Sequence, residues 1–383
     1  MLLIVCSLVP LLTWLYLTTA RGGFWRVSTS LARDTGIDVP PRRIVAVIPA
    51  RNEADVVGDA VASLLNQRDV APMHVILVDD ASNDRTAERA RSAAERAGAA
   101  DRLRIVDGAP LESGWTGKLW AVSQGVERAA ALNPDYLLLT DADIAHAPRN
   151  VANLLSVAES GDYDLTSFMV KLHCSTLVER ALIPAFVFFF FLLYPPAWVR
   201  NNRSPVAGAA GGCMLIRPSA LRAIGGIAAI HDRIIDDCAL ANAVKSNGGR
   251  VWLGLTESAR SIRPYETFGE IGRMISRSAF NQLRHSPVLL VGTLLMLFLT
   301  YVLPPLSLFS GQLVPALFGA AAWASMSICY LPMVRFYRCS PAWALALPLV
   351  AIFYGGATVD SALRYWRGRG GSWKGRVQDT LSP

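Results

Sequence analysis

The chain has 383 residues, 52% hydrophobic and only 17% charged, against a charged share of roughly 25% in an ordinary soluble domain. That composition excludes a wholly water-exposed protein. The net charge of +7 comes without a compact Lys/Arg run interleaved with aromatics. The basic residues crowd beside apolar stretches instead, which points to anionic lipid headgroups rather than nucleic acid.

The first uncharged stretch covers residues 2–20. Nothing basic precedes it, while Arg21, Arg26, Arg33, Arg42 and Arg43 follow, the reverse of a secretory signal. It reads as an uncleaved membrane anchor (residues 1–21), with the chain after it in the cytoplasm by the positive-inside rule. Residues 39–41 (VPP) end a linker, and a globular region, 42–285, is long enough for one sizeable core. Within it, residues 44–48 form a buried-strand run broken by Pro49, residues 53–65 have helical apolar spacing, and 74–78 is a second strand. A polar loop, residues 79–84, can cap a helix beginning near Arg85. Residues 103–106 are a third strand, 117–132 a helix, and 136–139 (YLLL) a strand buried on both faces. Strands alternating with helices predict β-α-β units and a mostly parallel sheet of the nucleotide-binding kind.

The next part is less regular. Residues 185–194 (AFVFFFFLLY), bounded by Pro184, Pro195 and Pro196, are too few to cross a bilayer as a helix, leaving a core helix or an interfacial segment. Residues 208–212 (GAAGG) give a flexible backbone before a strand-like 213–216, and Arg217-Pro218 starts a helix that ends at Gly225-Gly226. Residues 286–334 and 341–359 carry no charge, enough for about three C-terminal membrane segments within 286–363. A basic tail, 364–383, follows. Three crossings would put that tail outside, yet Arg364, Arg367, Arg369, Lys374 and Arg376 argue for inside. The breaks at Pro348 and Gly355-Gly356 single out 341–359 as the re-entrant or interfacial stretch. Six scattered cysteines without a C-x-x-C exclude a disulfide framework or zinc site and suit a reducing compartment.

Four polar clusters follow element ends: residues 49–53 (PARNE), Asp79-Asp80, Asp141/Asp143 and Asp236-Asp237. In an open α/β sheet the carboxyl ends of strands converge on one edge, where ligands bind. Asp141 and Asp143 lie one residue apart, and two such anions repel unless a cation lies between them. Hard oxygen ligands suit Mg²⁺ or Mn²⁺, which would bridge phosphate oxygens. No G-x-G-x-x-G follows the first strand and no P-loop motif exists, so dinucleotide and P-loop readings fail.

On VIPARNEADVV (47–57), LVDDASNDRT (77–86), GKLWAVSQG (117–125), TDADI (140–144), GGCMLIR (211–217) and IIDDCALA (234–241), in that order, the sequence resembles family 2 glycosyltransferases of the GT-A fold. The resemblance covers roughly residues 42–285. With the flanking apolar segments and the tail WKGR (373–376), it is most similar to hopene-associated glycosyltransferases, with carotenoid glycosyltransferases as relatives. It implies that Pro49, Ala50, Glu53, Asp79 and Asp80 line a nucleoside pocket, that Asp141 contacts the nucleotide sugar, and that Asp143 binds the metal. Asp237 would be the general base, with Asp236 standing where many members have Glu. Lys118 is either near the phosphates or a surface lysine at a helix start. Arg273 and Arg277 fall where the family's C-terminal arginine motif acts; the other reading is a basic helix face on lipid headgroups. Ser278, not Trp, follows Arg277, which argues for transfer of one sugar rather than polymer synthesis. Trp115 is a candidate acceptor contact, and His231 a loop residue. The implied partners are a nucleotide-diphosphate sugar and a lipid acceptor in the membrane.

Overall fold

The computed structural model describes residues 2–27, 42–371 and 373–375. Arg33, the 39–41 linker and Arg376 lie outside them. Eight strands, β1 (Ile44–Ala50), β2 (His74–Asp79), β3 (Leu103–Asp107), β4 (Tyr136–Leu139), β5 (Ile144–His146), β6 (Leu165–Lys171), β7 (Met214–Ile216) and β8 (Val251–Ser261), form one sheet. Their order is β3-β2-β1-β4-β7-β6-β8-β5. The β1–β2, β1–β4, β2–β3 and β6–β8 pairs are parallel; β7 runs antiparallel to β4 and β6, and β5 to β8. Every residue of β1 and β4 is buried because helices cover both faces. Val45, Val47, Ile76 and Val78 pack with Leu119 and Val122 of the helix Gly117–Ala130. On the other face, Ile44, Ala46 and Ile48 pack with Val57, Val61 and Leu64 of Val57–Leu65 and with Leu154 of Asn150–Ser160.

Two expectations need correction. β1 does not stop before Pro49; it pairs on through Pro49 to Ala50, opposite Asp79. Val47 accepts from Thr140 on the β4 side, so two residues later Pro49 turns its missing N–H toward a strand that has already ended at Leu139, and no ladder bond is lost. Nor is the run 185–194 a short element bounded by prolines. The helix Leu177–Leu193 starts upstream at a capping box between Thr176 and Glu179 and passes through Pro184. Aromatic packing of Phe188 on Phe24 and Tyr330, and of Phe189 on Tyr301 and Tyr354, outweighs the proline break.

Four helical stretches are long and apolar enough to cross a membrane: Leu177–Val199, Pro287–Ser307, Leu313–Phe336 and Pro341–Trp366. The helix Leu347–Trp366 continues unbroken through Gly355-Gly356, and Pro348 falls in its first turn, where a missing N–H disrupts nothing. The N-terminal helix Leu2–Thr19 is shorter, 18 residues. It packs on the C-terminal group: Trp14, fully buried, donates its indole N–H to Thr300 O at 2.9 Å and meets Tyr301 edge-on.

Candidate active site

β4 runs four buried residues into Thr140, Asp141, Ala142 and Asp143. A buried polar chain fixes that turn. Asn150 Nδ2 donates to His146 Nδ1 at 2.9 Å, which leaves the proton on Nε2 to be donated to Thr140 Oγ1 at 3.1 Å. Thr140 in turn donates to Gly212 O at 2.7 Å. Burial lowers His146 to about 4, so the ring is neutral.

Lys118, the second residue of its helix, reaches over the end of β4. Its Nζ lies 2.9 Å from Asp141 Oδ1 and 3.0 Å from Asp236 Oδ2. Burial works against the ammonium, but Asp141, Asp236 and Asp237 outweigh it and hold Lys118 charged. Asp236 and Asp237 open the helix Asp236–Ser246, where the helix dipole favours negative charge. Asp237 accepts the Gly211 N–H at 2.9 Å and the Cys238 N–H at 2.7 Å. Burial first, then the Asp236 charge, push it up to about 6. A Cβ on Gly211 would stand 3.4 Å from Lys118 Nζ and 3.5 Å from Asp237 Oδ2, so the bare backbone leaves this space open. The cleft is small, about 20 Å³ of free space, and is lined among others by Pro49, Lys118, Asp141, Gly211 and Asp236.

A second group adjoins the first. Arg263, two residues beyond β8, places Nε 3.2 Å from Asp143 Oδ2 and bonds Glu53 Oε2 through Nη2. Lys374 Nζ lies 2.6 Å from Glu53 Oε1. Burial raises both carboxyls. For Asp143 the Asp141 charge adds to it and Arg263 opposes it; for Glu53, Lys374 and Arg263 oppose it. Burial also raises the Tyr265 hydroxyl, which feels Asp143 and Arg277.

The loops after β1 and β2 are tied together. Asp80, buried, faces Arg51 Nη1 at 3.6 Å, and its N–H donates to Ala50 O at 2.8 Å. Asp79 Oδ1 accepts from Ser82 N–H. Gly108 closes on them; a Cβ there would lie 3.0 Å from Asp79 O and 3.2 Å from Asp80 Cα, so a side chain would push the two loops apart by a few tenths of an ångström.

Of the residues singled out in the sequence, Lys118, Asp141, Asp236 and Asp237 meet around one ammonium, and Pro49 lines the same cleft. Glu53 and Asp143 share Arg263, with Ala50, Asp79 and Asp80 at the neighbouring strand ends. Arg273 and Arg277 stay exposed, and among the described residues neither forms an ion pair with these carboxylates. Trp115 packs with Trp120 and His231. The sequence reading passed over Arg263, His146 and β8, and took Lys374 as a tail charge rather than a site residue. The run VWLGLT at the start of β8 was the available signal, since a strand there puts Arg263 at a strand end.

Among the described residues no group of three or more His, Cys, Asp or Glu side chains is arranged for a metal. Asp141 and Asp143 nonetheless fit a hard divalent ion: their charges are close enough that Asp141 raises Asp143. Mg²⁺ commonly takes one or two carboxylates and completes its shell with substrate phosphates and water.

Residues 45–225 match the family model described as Glycosyl transferase family 2. That stretch is a glycosyltransferase family 2 domain. The mannosyltransferase PcManGT from Pyrobaculum calidifontis, solved with GDP-Man and Mn²⁺, is similar in fold. Its TM-score is 0.55 at 16% identity, covering 94% of this chain and 98% of that one. The common architecture is GT-A. Looser likenesses are S. aureus TarS (TM-score 0.41, 16% identity, 62% of this chain, 40% of that) and Mycobacterium tuberculosis glucosyl-3-phosphoglycerate synthase with Mn²⁺, UDP and phosphoglyceric acid (0.41, 17%, 68% and 83%). No curated protein sequence matches.

Proposed function

We propose that this glycosyltransferase is membrane-bound and inverting, and moves a single sugar from a nucleotide-diphosphate sugar to a lipid acceptor of the hopanoid or carotenoid kind. The observation that carries the reading is the Lys118 bridge between Asp141 and Asp236 beside the half-buried Asp237. It joins a strand-end carboxylate suited to the donor with a carboxyl poised as a base. The four apolar stretches support a bilayer-resident acceptor, with the catalytic region cytoplasmic. GDP-Man and Mn²⁺ in the mannosyltransferase of similar fold support a donor of this chemistry.

Pro49, Ala50, Glu53, Asp79 and Asp80 bind the nucleoside side of the donor, and Asp141 contacts its sugar. Arg273 and Arg277, exposed on the membrane-proximal helix Phe268–Ser276 and its cap, approach the phosphates or the lipid headgroups. Asp237 takes the proton of the acceptor hydroxyl while that oxygen attacks the anomeric carbon from the face opposite the diphosphate. The new C–O bond forms as the bond to the phosphate oxygen breaks, and the proton ends on Asp237. Lys118 fixes Asp141 and Asp236 in place and keeps positive charge near the leaving group. A divalent ion held by Asp143 and Asp141 would neutralise charge on the diphosphate.

The test is to incubate membranes containing the protein with a panel of labelled nucleotide sugars and extract the lipids. Label in a neutral lipid, absent from the Asp237→Asn protein, is expected. Label on a polyprenyl phosphate would redirect the acceptor assignment, and no labelled lipid from any donor would overturn the reading.

A further inference from the structure

We propose that residues 373–375 are a strap over the donor pocket and that Lys374 binds the donor's diphosphate, delivered to the site from beyond the last apolar helix. This rests on the glycosyltransferase reading and goes beyond it, since Lys374 and Arg263 both lie outside the 45–225 stretch that matches the family. Glu53, its side chain 10% exposed, stands in the loop after β1 and receives two cations, Arg263 and Lys374. Arg263 also bonds Asp143, so two carboxylates and two cations form a closed, charge-neutral group beside the strand ends. The strap is tied to the loop after β1 and, through Arg51, to the loop after β2. Lys374 Nζ donates to Asn52 O at 3.4 Å, and Lys374 O accepts from Arg51 Nε at 3.4 Å, the same Arg51 that faces Asp80. Lys374 also holds a left-handed φ of 47°, uncommon for a side chain of its size and kept where surrounding contacts dictate it.

Neutrality gives the group its use. A donor brings anionic phosphate oxygens to the strand ends, and a cation held at Asp143 competes with Arg263 for that carboxylate. Arg263 and Lys374 then join Lys118 as positive charges within reach of the phosphates. A lysine ammonium on a flexible four-carbon stem can turn from a glutamate oxygen to a phosphate oxygen without moving the backbone. Glu53 therefore holds Lys374 in place until the donor arrives.

The test uses the full-length protein in detergent, titrated calorimetrically with UDP, GDP and TDP in Mn²⁺, and with the corresponding nucleosides. Lys374→Ala should weaken diphosphate binding about tenfold, a charge-assisted hydrogen bond's share. Nucleoside binding should change by less than roughly twofold, and Lys374→Arg should restore most of the loss. A bound diphosphate should also slow tryptic cutting after Arg369 in the unaltered protein, a readout that needs no variant to fold. Equal diphosphate affinity in the unaltered and Lys374→Ala proteins, or unchanged cutting, overturns the strap alone. A protein that binds none of the diphosphates overturns the glycosyltransferase reading and the strap with it.

Discussion

Thr140 donates its hydroxyl to Gly212 O at 2.7 Å, fastening the residue before Asp141 to the residue after Gly211, whose N–H holds Asp237. One hydrogen bond thus sets the spacing between the donor-side and base-side carboxylates. Behind it stand His146 and Asn150, and Asn150 Oδ1 accepts from Ser258 of β8 at 2.7 Å. The cleft is braced from the far side of the sheet.

That brace makes the fold acid-sensitive at one residue. His146 titrates at about 4 when folded, below the ordinary value of about 6.5. Folding therefore favours the neutral ring; its contribution is complete above pH 6.5 and is lost as pH falls toward 4, about 3 kcal/mol in all. His146→Gln, which can accept from Asn150 and donate to Thr140 without titrating, should flatten the pH dependence of the melting temperature between pH 6.5 and 4. A variant melting curve parallel to that of the unaltered protein across this range would count against the brace.

Removing the bridging ammonium should act in the opposite pH direction. Lys118→Met leaves Asp141 and Asp236 facing each other, at a cost of about 3 kcal/mol, the low end for a buried pair because Asp141 is about a third exposed. The melting temperature should drop at pH 7.5 and recover toward that of the unaltered protein near pH 4.5, below the value of about 6 to which burial and Asp236 push Asp237, whose proton then relieves the cluster. Transfer should fall at least about 100-fold. Melting unchanged at both pH values would show that the bridge carries no weight.

Asp237 sets the pH profile of transfer. A base works only when deprotonated, so kcat/KM should rise with pH and level off above about 6. Asp237→Asn should remove about 10²–10⁴-fold of the rate while nucleoside-diphosphate affinity stays within a few fold. A profile flat between pH 5 and 7.5 would assign the proton transfer elsewhere.

The first half of the sheet was legible because each strand there is a short apolar run ending in a polar cluster, and those clusters hold Glu53, Asp79, Asp141 and Asp143. Asp236 and Asp237 were legible as an acidic pair at a helix start. What escaped was set by distant contacts. Lys374 lies 322 residues from its partner Asn52, and nothing local marks it as part of the site. The helix Leu177–Leu193 defeats a proline rule through aromatic packing supplied by helices far along the chain. Arg263 was hidden with β8, whose polar, alternately buried far half masks its apolar start.

The last expectation concerns which side of the membrane holds the tail. Leu313–Phe336 ends against the globular region, where Lys171 Nζ donates to Phe336 O at 3.1 Å and Cys339 Sγ lies 3.9 Å from Cys174 Sγ. The final helix ends against the same region: Ser361 Oγ donates to Ser276 O at 2.5 Å, and Tyr365 stacks on His285 at 4.0 Å. A stretch touching one body at both ends lies along it, as an interfacial helix does, rather than crossing. Pro287–Ser307 and Leu313–Phe336 then form a hairpin, packed so closely that a Cβ on Gly319 would come 2.5 Å from Pro304 O. Two crossings by that hairpin would return the basic tail to the side of Glu53, the placement its arginines favour. In a cysteine-free protein, Ser310→Cys should react with an impermeant maleimide from outside intact cells, and Arg367→Cys only after the membrane is opened. Arg367→Cys labelled from outside would separate the tail from the catalytic cleft and rule out this topology.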